Sequence, residues 1–182
     1  MQLIKSNEKR TAFFSFGWLE PFTLGDNFAN KGLNVTRGFD FQFNFFIGDT
    51  DVFLGYRFQN LSAKTTDVSL VGLYETSSIS LHALTLGYDF DIHEKLVFRT
   101  SISVGLTRYN NRTAGRRETF KDTGTTGILS GAFDYKLSKS LFIYLAPECR
   151  MDFMNIETAS EVSDFFSKAI YLNLSAGLTI NF

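Results

Sequence analysis

Residues 168–182 show a regular alternation of apolar and polar positions. From Ile170 to Phe182 every second residue is apolar, and the residues between them, from Tyr171 to Asn181, are polar, small or amphipathic. A period of two predicts a β-strand with one apolar face and one polar face. About ten tilted residues climb the ~25 Å apolar band of a membrane barrel. The segment is therefore long enough to span a bilayer as a strand.

The same alternation recurs along the whole chain, most clearly where Phe39, Phe41, Phe43 and Phe45 alternate with polar residues. It predicts eight strands, at residues 11–19, 38–46, 51–59, 79–90, 96–107, 125–137, 141–151 and 168–182. Tight turns alternate with long loops, at residues 20–37, 60–78, 109–124 and 152–167. We therefore predict an all-β fold in one domain, 1–182: an eight-stranded antiparallel up-and-down transmembrane β-barrel, preceded by a polar segment at 1–10.

Two positions interrupt the regular pattern. Ile79 and Leu81 have the opposite parity to Leu84 and Leu86, and a β-bulge near His82-Ala83 would reconcile the two halves of this strand. Pro147 lacks a backbone N–H and predicts a second bulge, in the seventh strand.

Composition narrows the class of protein. The chain has 21 Phe, 7 Tyr and 2 Pro, and its apolar runs are far shorter than the ~18 residues of a membrane-spanning helix. A net charge of −1 argues against a nucleic-acid partner. One cysteine and two histidines argue against a disulfide or a metal cluster, and we expect no cofactor. The first residues lack a signal peptide's apolar core, so we interpret Met1 as replacing a removed signal.

The aromatic residues distinguish a membrane barrel from a soluble, lipocalin-like barrel, whose apolar face would line an internal cavity. They fall at both ends of the predicted strands, as two interfacial belts would require. The tight-turn belt comprises Phe45, Phe46, Tyr88, Phe90, Phe98, Tyr135 and Phe182, and the long-loop belt Trp18, Phe39, Phe58 and Tyr109. Between them we expect Phe14, Phe41, Phe43, Leu86, Ile102, Leu145 and Leu174 to face lipid.

The polar face of the strands carries balanced charges. Four acidic and four basic residues share it: Asp40, Asp89, Asp134 and Glu148 with Arg57, Arg99, Lys136 and Arg150. An eight-stranded interior is just wide enough to be filled by side chains. We predict that these residues point into the lumen, pair across strands and leave no continuous water channel.

Few residues suggest chemistry. Ser80, His82 and Glu75 form a candidate Ser/His/carboxylate set, but Ser80 and His82 share the parity of the lipid-facing leucines. An interfacial histidine is the favoured interpretation, and no catalytic residue is assigned. In the basic third loop, arginine forks match phosphate oxygens, so Arg112, Arg116, Arg117 and Lys121 are candidate lipopolysaccharide contacts. An ordinary solvated loop is the favoured interpretation.

The strand pattern resembles the small eight-stranded outer-membrane barrels of the OmpX/OmpA type, especially the Phe-rich β-barrel proteins of Bacteroidetes. The ending Ser175, Gly177, Ile180 and Phe182 resembles their C-terminal assembly signal. The resemblance implies residence in the bacterial outer membrane, contact with its lipid and lipopolysaccharide, and recognition by the barrel-insertion machinery.

Two classes of function remain open. One is a structural or interaction protein that acts through its long extracellular loops, including as an accessory subunit of an envelope complex with a protein partner. The other is an envelope lipid-modifying enzyme or a narrow, porin-like transporter. The balanced interior and the lack of a placed nucleophile favour the first.

Overall fold

The computed structural model describes residues 10–113 and 119–182. These residues form a closed antiparallel barrel in which each strand pairs with the next and the last pairs with the first. The strands are β1 Ala12–Leu24, β2 Leu33–Phe46, β3 Val52–Thr65, β4 Thr76–His93, β5 Leu96–Arg112, β6 Thr119–Lys136, β7 Leu141–Asn155 and β8 Lys168–Asn181. Closure leaves no strand edge unpaired, and the predicted eight-stranded fold is confirmed.

Short helices occupy the first, second and fourth long loops. They are α1 Phe28–Gly32, α2 Val68–Val71, a 3-10 turn at Ser160–Val162, and α3 Ser163–Phe166. The Asn27 side chain caps α1 by accepting from the backbone N–H of Asn30 at 3.1 Å. Asp67 caps α2, and its hydrogen bonds from Ser69 lower the pKa of the Asp67 carboxyl. In the described ranges no helix has the length and apolarity needed to cross a membrane.

The strand register fixes the tilt of the barrel. The path of paired residues starts at Leu24 of β1, passes to Ile170 of β8 and then through β7 to β2 in turn. It returns to β1 at Phe14, ten residues from its start. Closing eight strands with this offset tilts them by roughly 40°, so each residue climbs about 2.5 Å along the barrel axis. Two residues at the same height on neighbouring strands are therefore about 1.25 residues away from being paired with each other.

Burial alternates along the strands as the sequence pattern predicts. The seven residues expected to face lipid lie on the outer face, where Leu86, Ile102 and Leu145 are about half exposed. On β2, Phe39 points outward like Phe43, while Asp40 and Asn44, each next in sequence to one of them, are buried. The outer wall is thus apolar over the height of a membrane, and the inner wall carries the polar residues.

The strands run further than the sequence predicts, and much of the predicted long loops is strand. Lys64 still pairs with Thr76 between β3 and β4, and Arg112 with Thr119 between β5 and β6. The ladder continues beyond the apolar band because backbone hydrogen bonds do not need apolar side chains. Because apolar and polar side chains no longer alternate there, the sequence pattern predicts strands that are too short.

Neither predicted bulge is present. β4 pairs without a shift from Thr76 to Tyr88 on one side and to Asp91 on the other, so Ile79 and Leu81 point into the lumen. Pro147 pairs with β8 and interrupts the ladder to β6, but the register is the same on both sides of it. A missing N–H removes one ladder bond without requiring an extra residue.

Two of the predicted belt residues lie inside the barrel. Phe46 is 9% exposed and packs against Phe13 and Phe53, with ring centroids 5.6 and 6.1 Å away. Tyr109 is 1% exposed, because β5 continues through it in the parity of Thr107, which faces inward. The other nine belt residues lie on the outer face.

Candidate functional site

An arginine layer closes the tight-turn end of the lumen. Arg99 donates from Nε and Nη2 to the two carboxylate oxygens of Asp89, at 2.7 and 2.9 Å, and its Nη1 is 3.4 Å from Asp134. Its guanidinium lies 3.6 Å from the ring centroid of Phe13. Arg10 adds a second cation, which donates to Asp89 at 2.9 Å. Paired charges stacked on phenylalanine rings therefore fill this end.

A second layer crosses the middle of the lumen. Arg57 donates from Nε and Nη2 to Asp40, at 2.8 and 2.9 Å, and also from Nη2 to Glu148 on the opposite wall. Glu148 Oε1 accepts further bonds from Gln59 at 2.8 Å and Asn173 at 2.7 Å. The Arg57 and Glu148 side chains are fully buried. We call these five residues the central cluster, and it joins β2 and β3 to β7 and β8.

A third layer lies nearer the long loops. Arg150 donates from Nε and Nη2 to Asp152, both at 2.8 Å, and from Nη2 to Thr107 at 2.9 Å. The Tyr109 hydroxyl donates to Asp152 at 2.8 Å and lies 2.5 Å from the hydroxyl of Tyr171. The charge of Arg150 is thus matched within hydrogen-bonding distance, as a buried cation requires.

An apolar plug closes the long-loop end. Phe28 of α1 is 2% exposed, and its ring centroid is 5.7 Å from that of Tyr109 and 5.9 Å from that of Phe166. Around it pack buried residues of the strands and loops: Leu19, Ala29, Leu33, Leu61, Ala63, Tyr74, Ile79, Met154, Ala169 and Tyr171. The inner wall is apolar at this height because α1 folds down into the mouth.

The structure brings most of the proposed lumen residues together. Asp40, Arg57, Asp89, Arg99, Asp134, Glu148 and Arg150 are all buried inside, and Lys136 is half-buried at the tight-turn end of β6. The partner of Arg150 is Asp152, which the sequence placed in a loop although it continues the parity of Glu148 and Arg150. No strand parity predicts the lumen position of Arg10, because Arg10 precedes β1.

A small cavity separates two of the layers. A cavity of about 10 Å³ lies between the arginine layer and the central cluster, lined by residues that include Ser15, Ser130, Asp134, Tyr144 and Thr179. A space of that size holds about one water molecule.

The four residues of the proposed assembly signal divide between the two faces of β8. Ser175 is buried, 3.0 Å from the Tyr144 hydroxyl, and Gly177 pairs closely with Gly17. Ile180 and Phe182 lie on the outer face. Recognition of this strand by the insertion machinery stays a prediction.

The Ser/His/carboxylate candidates do not assemble. Ser80 and His82 lie on the outer wall, and His82 Nδ1 is 2.5 Å from the hydroxyl of Tyr56. Glu75 lies seven residues beyond His82, about 17 Å further up the axis at ~2.5 Å per residue. His82 thus occupies the outer surface, as the interfacial interpretation requires. In the described ranges no three His, Cys, Asp or Glu residues group to hold a metal.

The lipopolysaccharide candidates lie partly on the described surface. Arg112 and Lys121 are exposed on neighbouring strands, β5 and β6, and point outward. Arg108 lies lower on the same face of β5 and is also exposed. Arg116 and Arg117 lie outside the described residues.

The long loops form a cleft of about 820 Å³ between loop residues 25–27, α2, α3 and the start of β8. Four exposed charged residues border it: Asp26, Glu161, Asp164 and Lys168. Its apolar lining is Leu70, Val162, Phe165, Phe166 and Ile170. We call it the loop cleft.

Comparisons with known proteins bear on the fold. No family model and no curated protein matches the sequence. Among solved structures, Ail, the attachment invasion locus protein of Yersinia pestis, is 12% identical, with a TM-score of 0.60 over 96% of this chain and 100% of that chain. Neisserial surface protein A is 12% identical, with a TM-score of 0.62 over 94% and 97%. OprG of Pseudomonas aeruginosa is 14% identical, with a TM-score of 0.53 over 96% and 97%. The chain has the fold of the small eight-stranded barrels of the bacterial outer membrane, and its apolar outer wall suits that membrane.

Proposed function

We propose that the protein is a closed outer-membrane barrel that anchors its folded extracellular loops as a binding surface. The observation that carries the proposal is the filled interior. Among the described residues, three hydrogen-bonded layers and the apolar plug lie in series along the lumen, and we expect them to leave neither ions nor solutes a continuous path. A barrel without a channel would act through the extracellular loops that it anchors.

The first, second and fourth long loops have the order that a binding surface needs. Two of their helices are capped by side chains, α1 packs into the barrel mouth, and together the loops form the loop cleft. Ail is named as an attachment protein and has been crystallised with the heparin analogue sucrose octasulfate. The loop cleft has three acidic residues and one basic residue at its border, so a polyanion is not the ligand expected there.

Recordings in planar bilayers test the closed interior. We expect the wild-type monomer to show no stable conductance. A variant in which flexible Gly-Ser residues replace α1 should also stay closed, because the charged layers lie beneath the plug. A stable, large conductance from either protein would contradict the proposal and favour the transporter alternative.

Contact with lipopolysaccharide is a second proposed property, carried by the outward position of Arg112 and Lys121. Each cation near an anionic lipid surface contributes about 1 kcal/mol, so neutralising both should weaken binding by roughly tenfold or more. Arg112→Gln/Lys121→Gln would be compared with Lys139→Gln, at the tight-turn end, for lipopolysaccharide binding in nanodiscs. Equal affinities would leave these residues as ordinary solvated charges.

A further inference from the structure

The apolar outer wall is uneven at its extracellular end. On β1 and β8, Phe22 pairs with Leu172 and Leu24 with Ile170, and all four point outward. Phe22, Leu24 and Leu172 are 51%, 45% and 48% exposed. Phe153 continues this surface on β7, where it is 50% exposed. We call these five residues the tall face.

The opposite half of the barrel is polar at the same height. With an offset of about 1.25 residues per strand, the outward residues level with Phe22 are polar or charged: Ser62, Ser80, Arg108 and Thr125. The apolar surface of the tall face therefore reaches roughly 5–10 Å higher than the surface opposite.

The periplasmic end shows no such difference. The heights of the outward residues at the lower ends of four strands differ by no more than about 2.5 Å, the rise of one residue. These residues are Ile47, Leu96, Leu137 and Phe182. A tilt of the rigid barrel would raise the same side at both ends, so a tilt does not explain a height difference at the extracellular end alone. A bilayer of one thickness therefore cannot cover both halves, and the tall face leaves apolar surface uncovered.

The tall face continues into the loop cleft. Ile170 belongs to both, and a Cβ placed on Gly25 at the edge of the cleft would lie 4.0 Å from Ile170 Cδ1. Above Ile170, the apolar side chains of Leu70 and Phe165 line the cleft, and acidic residues dominate its border. One continuous surface thus leads from the membrane into an apolar groove with an acidic edge.

We propose that the tall face and loop cleft dock a second outer-membrane protein through a basic amphipathic helix of that protein. An apolar groove accepts the apolar stripe of such a helix, and Asp26, Glu161 and Asp164 complement its cationic flanks. Continuity with the membrane-facing wall places the partner in the same membrane. A second copy of this chain fits less well, because a two-fold interface sets the same acidic border against itself. This proposal rests on the role of the loops proposed above.

Two synthetic helices provide the probe: an 18-residue Leu/Lys amphipathic peptide and its Leu/Glu counterpart. Binding would be measured by fluorescence anisotropy to protein in phosphatidylcholine nanodiscs, after subtraction of binding to empty nanodiscs. We expect the Lys peptide to bind the wild type at least tenfold more tightly than it binds Asp26→Asn/Glu161→Gln/Asp164→Asn. Leu70→Ser should also weaken binding. Glu75→Gln, an exposed extracellular control outside the cleft, should not.

Several outcomes would overturn the docking proposal. They are equal binding of the two peptides, no effect of the triple substitution, and displacement of the Lys peptide by a single-chain cationic amphiphile at equal concentration. Self-cross-linking of a Phe153→Cys variant across two copies, in a Cys149→Ser background that removes the native exposed thiol, would also overturn it. Heat-modifiable migration on gels verifies that each variant folds. Failure of the peptide test in a non-conducting barrel overturns the docking proposal alone, whereas a conducting barrel overturns the proposed function.

Discussion

Replacing Arg57 with methionine should be among the most destabilising single changes in the barrel. The substitution keeps much of the side-chain volume but removes the only cation within the central cluster. Asp40 and Glu148 would remain buried and lose their hydrogen bonds from the guanidinium. Breaking a buried ion pair by removing one partner costs about 3–5 kcal/mol, because the remaining charge is uncompensated. Two carboxylates remain here, so we expect the upper part of that range.

Two variants separate charge from packing. Arg37→Met makes the same change at an exposed pair, where Arg37 Nε is 3.7 Å from Glu20 and its side chain is 65% exposed. Such a pair contributes about 0–1 kcal/mol. The triple variant Arg57→Met/Asp40→Asn/Glu148→Gln removes all three charges and should recover at least about half of the loss, because no unpaired charge stays buried.

The free energy of unfolding would be measured on barrels refolded in detergent micelles, by urea titration with heat-modifiable gel migration as the readout. Fluorescence of the single Trp18 gives a second readout for the interior variants. The reasoning is refuted if Arg57→Met costs no more than Arg37→Met, or if the triple variant is as unstable as the single one.

Further predictions concern the outer wall and the packing around two glycines. Phe43 lies midway along β2 between Phe39 and Ile47, so Phe43→Arg should cost about 2–4 kcal/mol. Phe22 lies on the tall face above the hydrocarbon core of the bilayer, so Phe22→Arg should cost only about 0–1 kcal/mol. Equal losses in urea unfolding would contradict the assigned membrane position. A Cβ on Gly17 would collide with the Tyr144 hydroxyl and lie 2.6 Å from a backbone carbonyl oxygen, so Gly17→Ala should cost about 1–3 kcal/mol. Gly127→Ala, with no atom within 4 Å of its new Cβ, should change stability by less than about 0.5 kcal/mol, and a similar loss at both glycines would refute the packing argument.

The sequence predicts the barrel and the facing of most residues because a single parity governs each strand. It fails at Ile79 and Leu81 for a physical reason. Alternation shows which residues share a face, but it does not show that the inner face turns apolar where α1 fills the mouth. That change depends on a contact between Phe28 and distant strands, which no local pattern contains.

Strand ends explain the other misses. Tyr109 and Asp152 lie where the ladder extends beyond the apolar band and the contrast between the two faces fades. Their inward positions follow from parity only once the strand length is known. The contact of Arg10 with Asp89 joins positions 79 residues apart, and the sequence near Arg10 gives no sign of it.

The central cluster also links the order of chain assembly to the chemistry of the interior. Arg57 and Glu148 are separated by 91 positions, and Asn173 completes the cluster from the last strand. A partly folded barrel with only its first three strands contains the Asp40–Arg57 pair. Glu148 lies on β7 and accepts from Arg57 and Gln59 of β3 and from Asn173 of β8, so its hydrogen bonds are complete only when β7 and β8 have joined the barrel. Amide protons in β3 and β8 should accordingly exchange with solvent as one cooperative unit, although residues 66–167, more than half of the chain, lie between them.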